Sequence, residues 1–188
     1  NANAIRSTTA PAARLKKAGL IYYHLSRALA MAVKMGPALT MLPIDVTLDH
    51  APLPDSPDSN AWWDGTRGSL VKPRPSINYT KAFLDRAVAE VAYVTYHEFG
   101  HHFMADTFGD FLPVATGRTP HAGYCVNRSS NDSWIEGWAV FFAALVFKDV
   151  NKVADPWIMH RDSTVKYDLE TNITAWQIER SAVAYLLW

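Results

Sequence analysis

Cysteine is almost missing from this chain: Cys125 is the only one in 188 residues. That excludes an intrachain disulfide, and a lone thiol reads as a small buried hydrophobe before it reads as a nucleophile. An excess of charge is missing too. Lys plus Arg and Asp plus Glu stand at 18 each, so no global field exists to recruit nucleic acid or an anionic membrane, and selectivity has to come from a local site. Long apolar runs are also lacking. The longest, Trp138 to Phe147, falls well short of the roughly 18 to 20 residues a membrane-spanning helix needs, so no membrane span is expected. No internal repeat is visible, and the first residue is Asn1 rather than Met, which fits a signal or pro-segment that was removed and equally one that was never included.

What is present is enough apolar material, 49% of the residues, for one substantial core that can divide into two lobes around a cleft. Four N-x-[ST] sequons occur, at Asn78, Asn127, Asn131 and Asn172. About one is expected by chance from eight Asn, so the excess points to a glycosylated, secreted protein.

Ala12 to Gly36 has helical spacing of Leu15, Ala18, Tyr22, Leu25, Leu29, Ala32 and Val33, with Gly36-Pro37 as its stop, and is expected to back a sheet. Ala38 to Asp49 alternates as a strand does, through Leu42, Ile44, Val46 and Leu48. After a Pro- and Asp-rich loop, Ala61 to Tyr79 suits short strands broken by turns, with Pro73 and Pro75 at an edge or in a loop. Lys81 to about Asp106 is predicted as one helix. Phe108 to Ser133 reads as loop, Ser133 as the cap of a helix with Glu136 completing a capping box, and Glu170 to Trp188 as a last helix. That helix stops at an apolar residue without Gly, Pro or a polar cap, an ending expected of a longer parent chain.

The most specific feature is His97-Glu98-Phe99-Gly100-His101. On a helix, residues four apart share a face, so both imidazoles can reach one Zn²⁺ while Glu98 is brought beside the water the ion activates. With seven His and five Glu, chance would supply this pattern in fewer than roughly one such chain in a hundred. A catalytic zinc needs a third protein ligand and an open position. Glu136 is the strongest candidate, because it opens a small-residue, apolar helix (Glu136-Gly137-Trp138-Ala139) in which a carboxylate has no other evident partner. His121, Asp106 and Asp110 are rivals. Asp106 lies five residues past His101 and off the metal face, whereas the other two sit in loop-like sequence. His102 is about 100° round the helix from His101 and reads as packing or surface.

HEFGHH followed by IEGWA resembles the gluzincin metallopeptidases, whose zinc is held by two His of HExxH and a Glu from a second helix, and the EGW form is nearest the secreted fungalysin type. Asn60-Ala61-Trp62-Trp63-Asp64-Gly65 is similar to the NAFWNG-like edge strand of thermolysin-type members, which implies that Asn60, Ala61 and Trp62 bind substrate main chain. Glu179, Val183, Ala184, Leu187 and Trp188 resemble a late helix ending in LWD. The resemblance covers about residues 60 to 188. It departs at Val140, where thermolysin and fungalysin types carry an acid that orients a zinc histidine, and no GAMEN-like exopeptidase strand is present.

The expectation is therefore an α+β, zincin-like metallopeptidase domain. An upper lobe of helix and twisted sheet (about 1–106) would lie above the active-site helix, with a helical lower lobe (about 107–188) beneath. The resemblance implies one catalytic Zn²⁺ on His97, His101 and Glu136, with Glu98 as general base for hydrolysis of an extended peptide or protein substrate. Tyr124 or His121 would be the added oxyanion donor. The alternatives are a non-catalytic zinc-containing binding domain and an inactive processed fragment of a peptidase.

Overall fold

The computed structural model describes residues 12–36, 38–51, 61–65, 74–86, 88–109, 112, 130–147, 157–158 and 166–167. Helix α1 spans Ala12–Met35, followed by strands β1 (Asp45–His50), β2 (Ala61–Asp64) and β3 (Ser76–Thr80). Helices α2 (Lys81–Leu84), α3 (Val88–Thr107) and α4 (Ser130–Phe147) come next, then the short strands β4 (Trp157–Ile158) and β5 (Lys166–Tyr167). The architecture is a mixed one, helices with small sheets.

In the three-stranded sheet the order is β1-β3-β2, with β1 parallel and β2 antiparallel to β3. Trp62 pairs with Asn78 and Trp63 with Ile77. The central strand begins directly after Pro75, which lacks the N–H a ladder would need. All five β3 residues are buried. Tyr79 fastens the strand to α3, its hydroxyl donating to Thr95 Oγ1 at 3.1 Å. β2, the NAWWDG segment, is an edge strand packed beside α3.

Helix α1 packs chiefly on α3 and α4 and also faces strand β1 of the sheet it was expected to back. Its buried stripe is Ala18, Ile21, His24, Ala28 and Ala32, whereas Leu15, Tyr22 and Val33 are exposed. Ala28 and Ala32 join the core cluster, while Ala18, Leu25 and Leu29 face Ile44, Val46 and Leu48 across an apolar cleft. Gly36 ends α1 in a left-handed conformation at φ 108°.

The helix predicted from Lys81 is two helices. Thr80 caps α2 by accepting from the Phe83 N–H, Phe83 and Leu84 bury in the core, and Arg86 N–H donates to Phe83 C=O at 3.0 Å, turning the chain into α3. Helix α4 starts at Ser130, so Ser133 lies inside it and the expected cap and capping box are corrected. The strand pair β4–β5 likewise corrects an all-helical lower half. The proposed helix at 170–188 and Cys125 lie outside the described residues. Among the described residues, no helix is long and apolar enough to cross a membrane.

Helix α3 is buried on nearly every side, so its polar groups need answers from other elements. Asp106 near its end accepts from Thr40 N–H (2.8 Å to Oδ2), Thr40 hydroxyl (2.6 Å to Oδ1) and Met41 N–H (3.0 Å), pinning the chain between α1 and β1. The sequence offers Asp106 as a metal rival; these bonds commit it elsewhere. At mid-helix, Tyr96 hydroxyl and His24 Nδ1 are 2.6 Å apart. Burial, with the nearby Arg27, holds the His24 imidazole below its ordinary proton affinity.

Two outcomes are expected. Asp106→Ala strands the Thr40 and Met41 amides and should cost about 2 to 4 kcal/mol in urea denaturation, given roughly 1.5–3 for hydrogen bonds to charged groups; a loss under about 0.5 kcal/mol would contradict the pinning role. For His24, the folded-state pKa lies below the unfolded value of about 6.5. Its contribution is therefore fully present above pH 6.5 and lost as the pH falls from there through the folded pKa, by at most about 1.4 kcal/mol per pH unit. His24→Gln should flatten that part of the stability–pH curve, and an unchanged slope would refute the assignment.

Candidate metal centre

Four-residue spacing on α3 sets the His97 and His101 rings on one face, their centroids 4.7 Å apart. Helix α4 crosses this face and brings Glu136 to it. One ligand atom from each of His97, His101 and Glu136 lies within 4.8 Å of the others. The two Nε2 atoms are 3.2 Å apart, His97 Nε2 is 3.2 Å from Glu136 Oε2, and His101 Nε2 is 3.6 Å from Glu136 Oε1. An imidazolium–carboxylate pair accounts for one such approach; here both imidazoles face the same carboxylate, each at a different oxygen, and face each other. Tetrahedral bonds of 2.0–2.1 Å place neighbouring donors about 3.3 Å apart. The two imidazoles and one carboxylate present therefore fit a zinc ion in both spacing and donor type.

Glu98 is not among the converging atoms. It is buried, 6% exposed, within electrostatic reach of His97 and Glu136. Burial is the main cause that raises its pKa, to about 7; His97 opposes the rise, Glu136 adds to it, and a hydrogen bond from the Trp63 backbone N–H opposes it. A cation held by the three donors would pull this value down again. The edge strand thus touches the site through its backbone as well as through packing.

Close contact between the two helices delivers Glu136. A Cβ built on Gly100 would lie 3.0 Å from Ala139 Cα and 3.3 Å from Phe142 Cβ. Trp138 Nε1 donates to Gly100 C=O at 3.1 Å, while Phe142 stacks on Phe99 with centroids 5.8 Å apart. The sequence marks Gly137 and Ala139 as small residues beside Glu136; the small residue that meets Ala139 from the other side is Gly100, inside HExxH itself. Sequence reasoning missed the Trp138 donor, although the indole stands in the IEGWA run.

Trp62 Nε1 and Asn78 Nδ2 both donate to Asp64 Oδ2, at 3.3 and 3.2 Å. Trp62 also meets the His50 ring edge-on at 4.8 Å. His102 is fully buried against Phe99, which decides for packing between the packing and surface roles the sequence left open. Val140, at the position where related enzymes carry an acid, is buried in the core.

The glycosylation reading needs one correction. Asn78 is 1% exposed, with Nδ2 donating to Asp64 and Ser76 inside the sheet, so no sugar can occupy that nitrogen in this fold. Asn131 is exposed in the first turn of α4. Asn60, Asp110, His121, Tyr124, Asn127, Asn172 and the residues likened to the LWD helix lie outside the described residues.

The family model described as the mycolysin C-terminal domain matches residues 55–178, about two thirds of the chain, a span that includes the HExxH helix and α4. No curated protein and no solved structure matches. The chain belongs to the family of the mycolysin C-terminal domain, a link to thermolysin-like metallopeptidases that supports a gluzincin relationship.

Proposed function

We propose that this chain is a zincin-like metallopeptidase domain in which His97, His101 and Glu136 hold one Zn²⁺ and Glu98 moves the proton in peptide-bond hydrolysis. The observation that carries the reading is the convergence of His97, His101 and Glu136 from two helices, one ligand atom of each within 4.8 Å of the others, with the imidazole nitrogens 3.2 Å apart and each facing a different oxygen of the carboxylate at 3.2 and 3.6 Å. When bound, zinc supplies Lewis acidity to the scissile carbonyl and to the attacking water. Glu98 takes the proton from that water on its carboxylate and gives it to the leaving amine nitrogen. Its burial suits the role, because desolvation disfavours the charged carboxylate and so favours taking up a proton.

The edge position of β2 supports a mode of recognition. An extended substrate adds to an exposed sheet edge through backbone hydrogen bonds, with Ala61 and Trp62, and Asn60 before them, along its path. Such pairing suits an endopeptidase acting on extended protein substrates, with an upper lobe of about 1–106 and a lower lobe of about 107–188. Tyr124 or His121 would add an oxyanion donor. The sequons at Asn127, Asn131 and Asn172, with the family link, favour secretion.

A second reading is favoured by the family's description as a C-terminal domain: a zinc-holding binding domain, or a processed fragment, without turnover of its own. A buried Glu98 beside the donors argues for the first, since a purely structural site has no use for a base. Metal analysis combined with a broad peptide-library digest separates the two.

Glu136→Ala and His97→Ala should each weaken zinc binding by more than the roughly 10- to 100-fold that loss of an outer hydrogen-bond partner costs. Crystallographic density placing His121 or Asp110 on the ion would overturn the third-ligand assignment. Glu98→Gln should keep zinc and fold yet lose about 10²- to 10⁴-fold in hydrolysis rate; an undiminished rate with metal retained rules Glu98 out as the base.

A further inference from the structure

The distance between α3 and α4 decides whether three donors share one centre, and two groups away from the donors set it. Gly100 lies between His97 and His101 on the HExxH helix, facing Ala139 so closely that a Cβ would stand 3.0 Å from Ala139 Cα and 3.4 Å from its carbonyl oxygen. Both contacts are with backbone, which cannot swing aside as a flexible side chain does. Trp138 Nε1 reaches back across the same contact to Gly100 C=O at 3.1 Å. Ala139 is one turn beyond Glu136, and a helix is rigid over about 5 Å, so any displacement at Ala139 arrives at Glu136 almost undiminished.

Resting on the metal site proposed above, we propose that Gly100 and Trp138 are positioning residues for metal binding. Gly100 sets how near α4 can come, and the Trp138 indole N–H holds α4 there, so that the Glu136 carboxylate meets the two imidazoles. The magnitudes decide the matter. Relieving a Cβ clash at 3.0 Å requires a shift of a few tenths of an ångström, whereas metal–ligand distances are held within about 0.2 Å. Helix propensity runs the other way: alanine is favoured over glycine in a helix interior, so the local backbone would gain from Gly100→Ala. Glycine is held here by the neighbouring helix.

The test uses Gly100→Ala and Trp138→Phe in the full-length protein, with Leu84→Val, buried in α2 where that helix packs chiefly on β1 and β3, as a destabilised control away from the contact. Three readouts are taken: apo-protein unfolding, Zn²⁺ affinity by chelator competition, and the visible absorption spectrum of the Co²⁺-loaded protein at saturation. Both positioning variants should bind Zn²⁺ about 10-fold or more weakly, on the scale of losing an outer partner of a metal site. Their saturated Co²⁺ spectra should change in shape or intensity. The control should lose stability while keeping wild-type affinity and spectrum. A merely structural role for Gly100 and Trp138 predicts the control's pattern for all three, and that result overturns the inference. Should Gly100→Ala fail to fold, Trp138→Phe, which keeps an aromatic ring and removes only the donor and some volume, decides by the same criteria. If the unsubstituted protein binds Zn²⁺ but both variants match it in affinity and spectrum, this inference alone falls; if the unsubstituted protein binds none, the functional reading falls and takes the inference with it.

Discussion

Burying a polar helix is the constraint on which the rest of this structure depends. Helix α3 carries Thr95, Tyr96, Glu98, His101, His102 and Asp106 into the interior, where each polar atom left without a partner costs about 1–3 kcal/mol. The surrounding elements supply the partners. Tyr79 of β3 meets Thr95, His24 of α1 meets Tyr96, the backbone of β2 meets Glu98, and the segment after α1 meets Asp106. Glu136 and Trp138 come from α4 to the imidazoles and to the Gly100 carbonyl. The order of elements around α3 is in this sense an answer to its polar residues, with apolar packing of Phe99, Phe103 and Phe142 filling the space between.

The parts of this arrangement legible in the sequence are those governed by local spacing. Two histidines four apart on a helix must share a face, so that half of the centre needs no tertiary information. Glu136 was reachable because a carboxylate in an otherwise apolar helix demands a partner, although α4 begins three residues before the expected cap at Ser133. Other features depend on which element packs against which. The stripe read on α1 includes Ala18 and Ala32, which are buried, but it misses Ala28 and includes Leu15, Tyr22 and Val33, which the fold leaves outside. His24–Tyr96 joins residues 72 positions apart and Asp106–Thr40 joins residues 66 apart; no periodicity encodes such pairs. Asn78 shows the opposite failure: a surface motif in sequence became an interior strand residue, because β3 is covered on both faces.

Electrostatics at the centre are a balance of unequal effects. Burial drives the Glu98 carboxyl towards its neutral form, and the neighbouring Glu136 carboxylate pushes the same way. His97 and one backbone N–H pull it back. Because β2 donates that N–H while also forming the sheet edge, one strand both borders the site and tempers the rise that burial imposes on the acid. The link to thermolysin-like metallopeptidases adds context to this geometry without supplying it.

The alanine-lined face of α1 has a consequence for how the sequence is free to drift. Its inner positions sit at close approach to the core, so added volume at Ala28 or Ala32, both fully buried, forces backbone shifts costing about 1–3 kcal/mol. The outer positions Leu15, Tyr22, Tyr23 and Val33 meet solvent and carry no such restriction. Substitution along this helix is therefore one-sided: hydrophobic character can come and go on the outside, while smallness is what must persist within. Divergent chains with this fold would be recognised at α1 by where they are small.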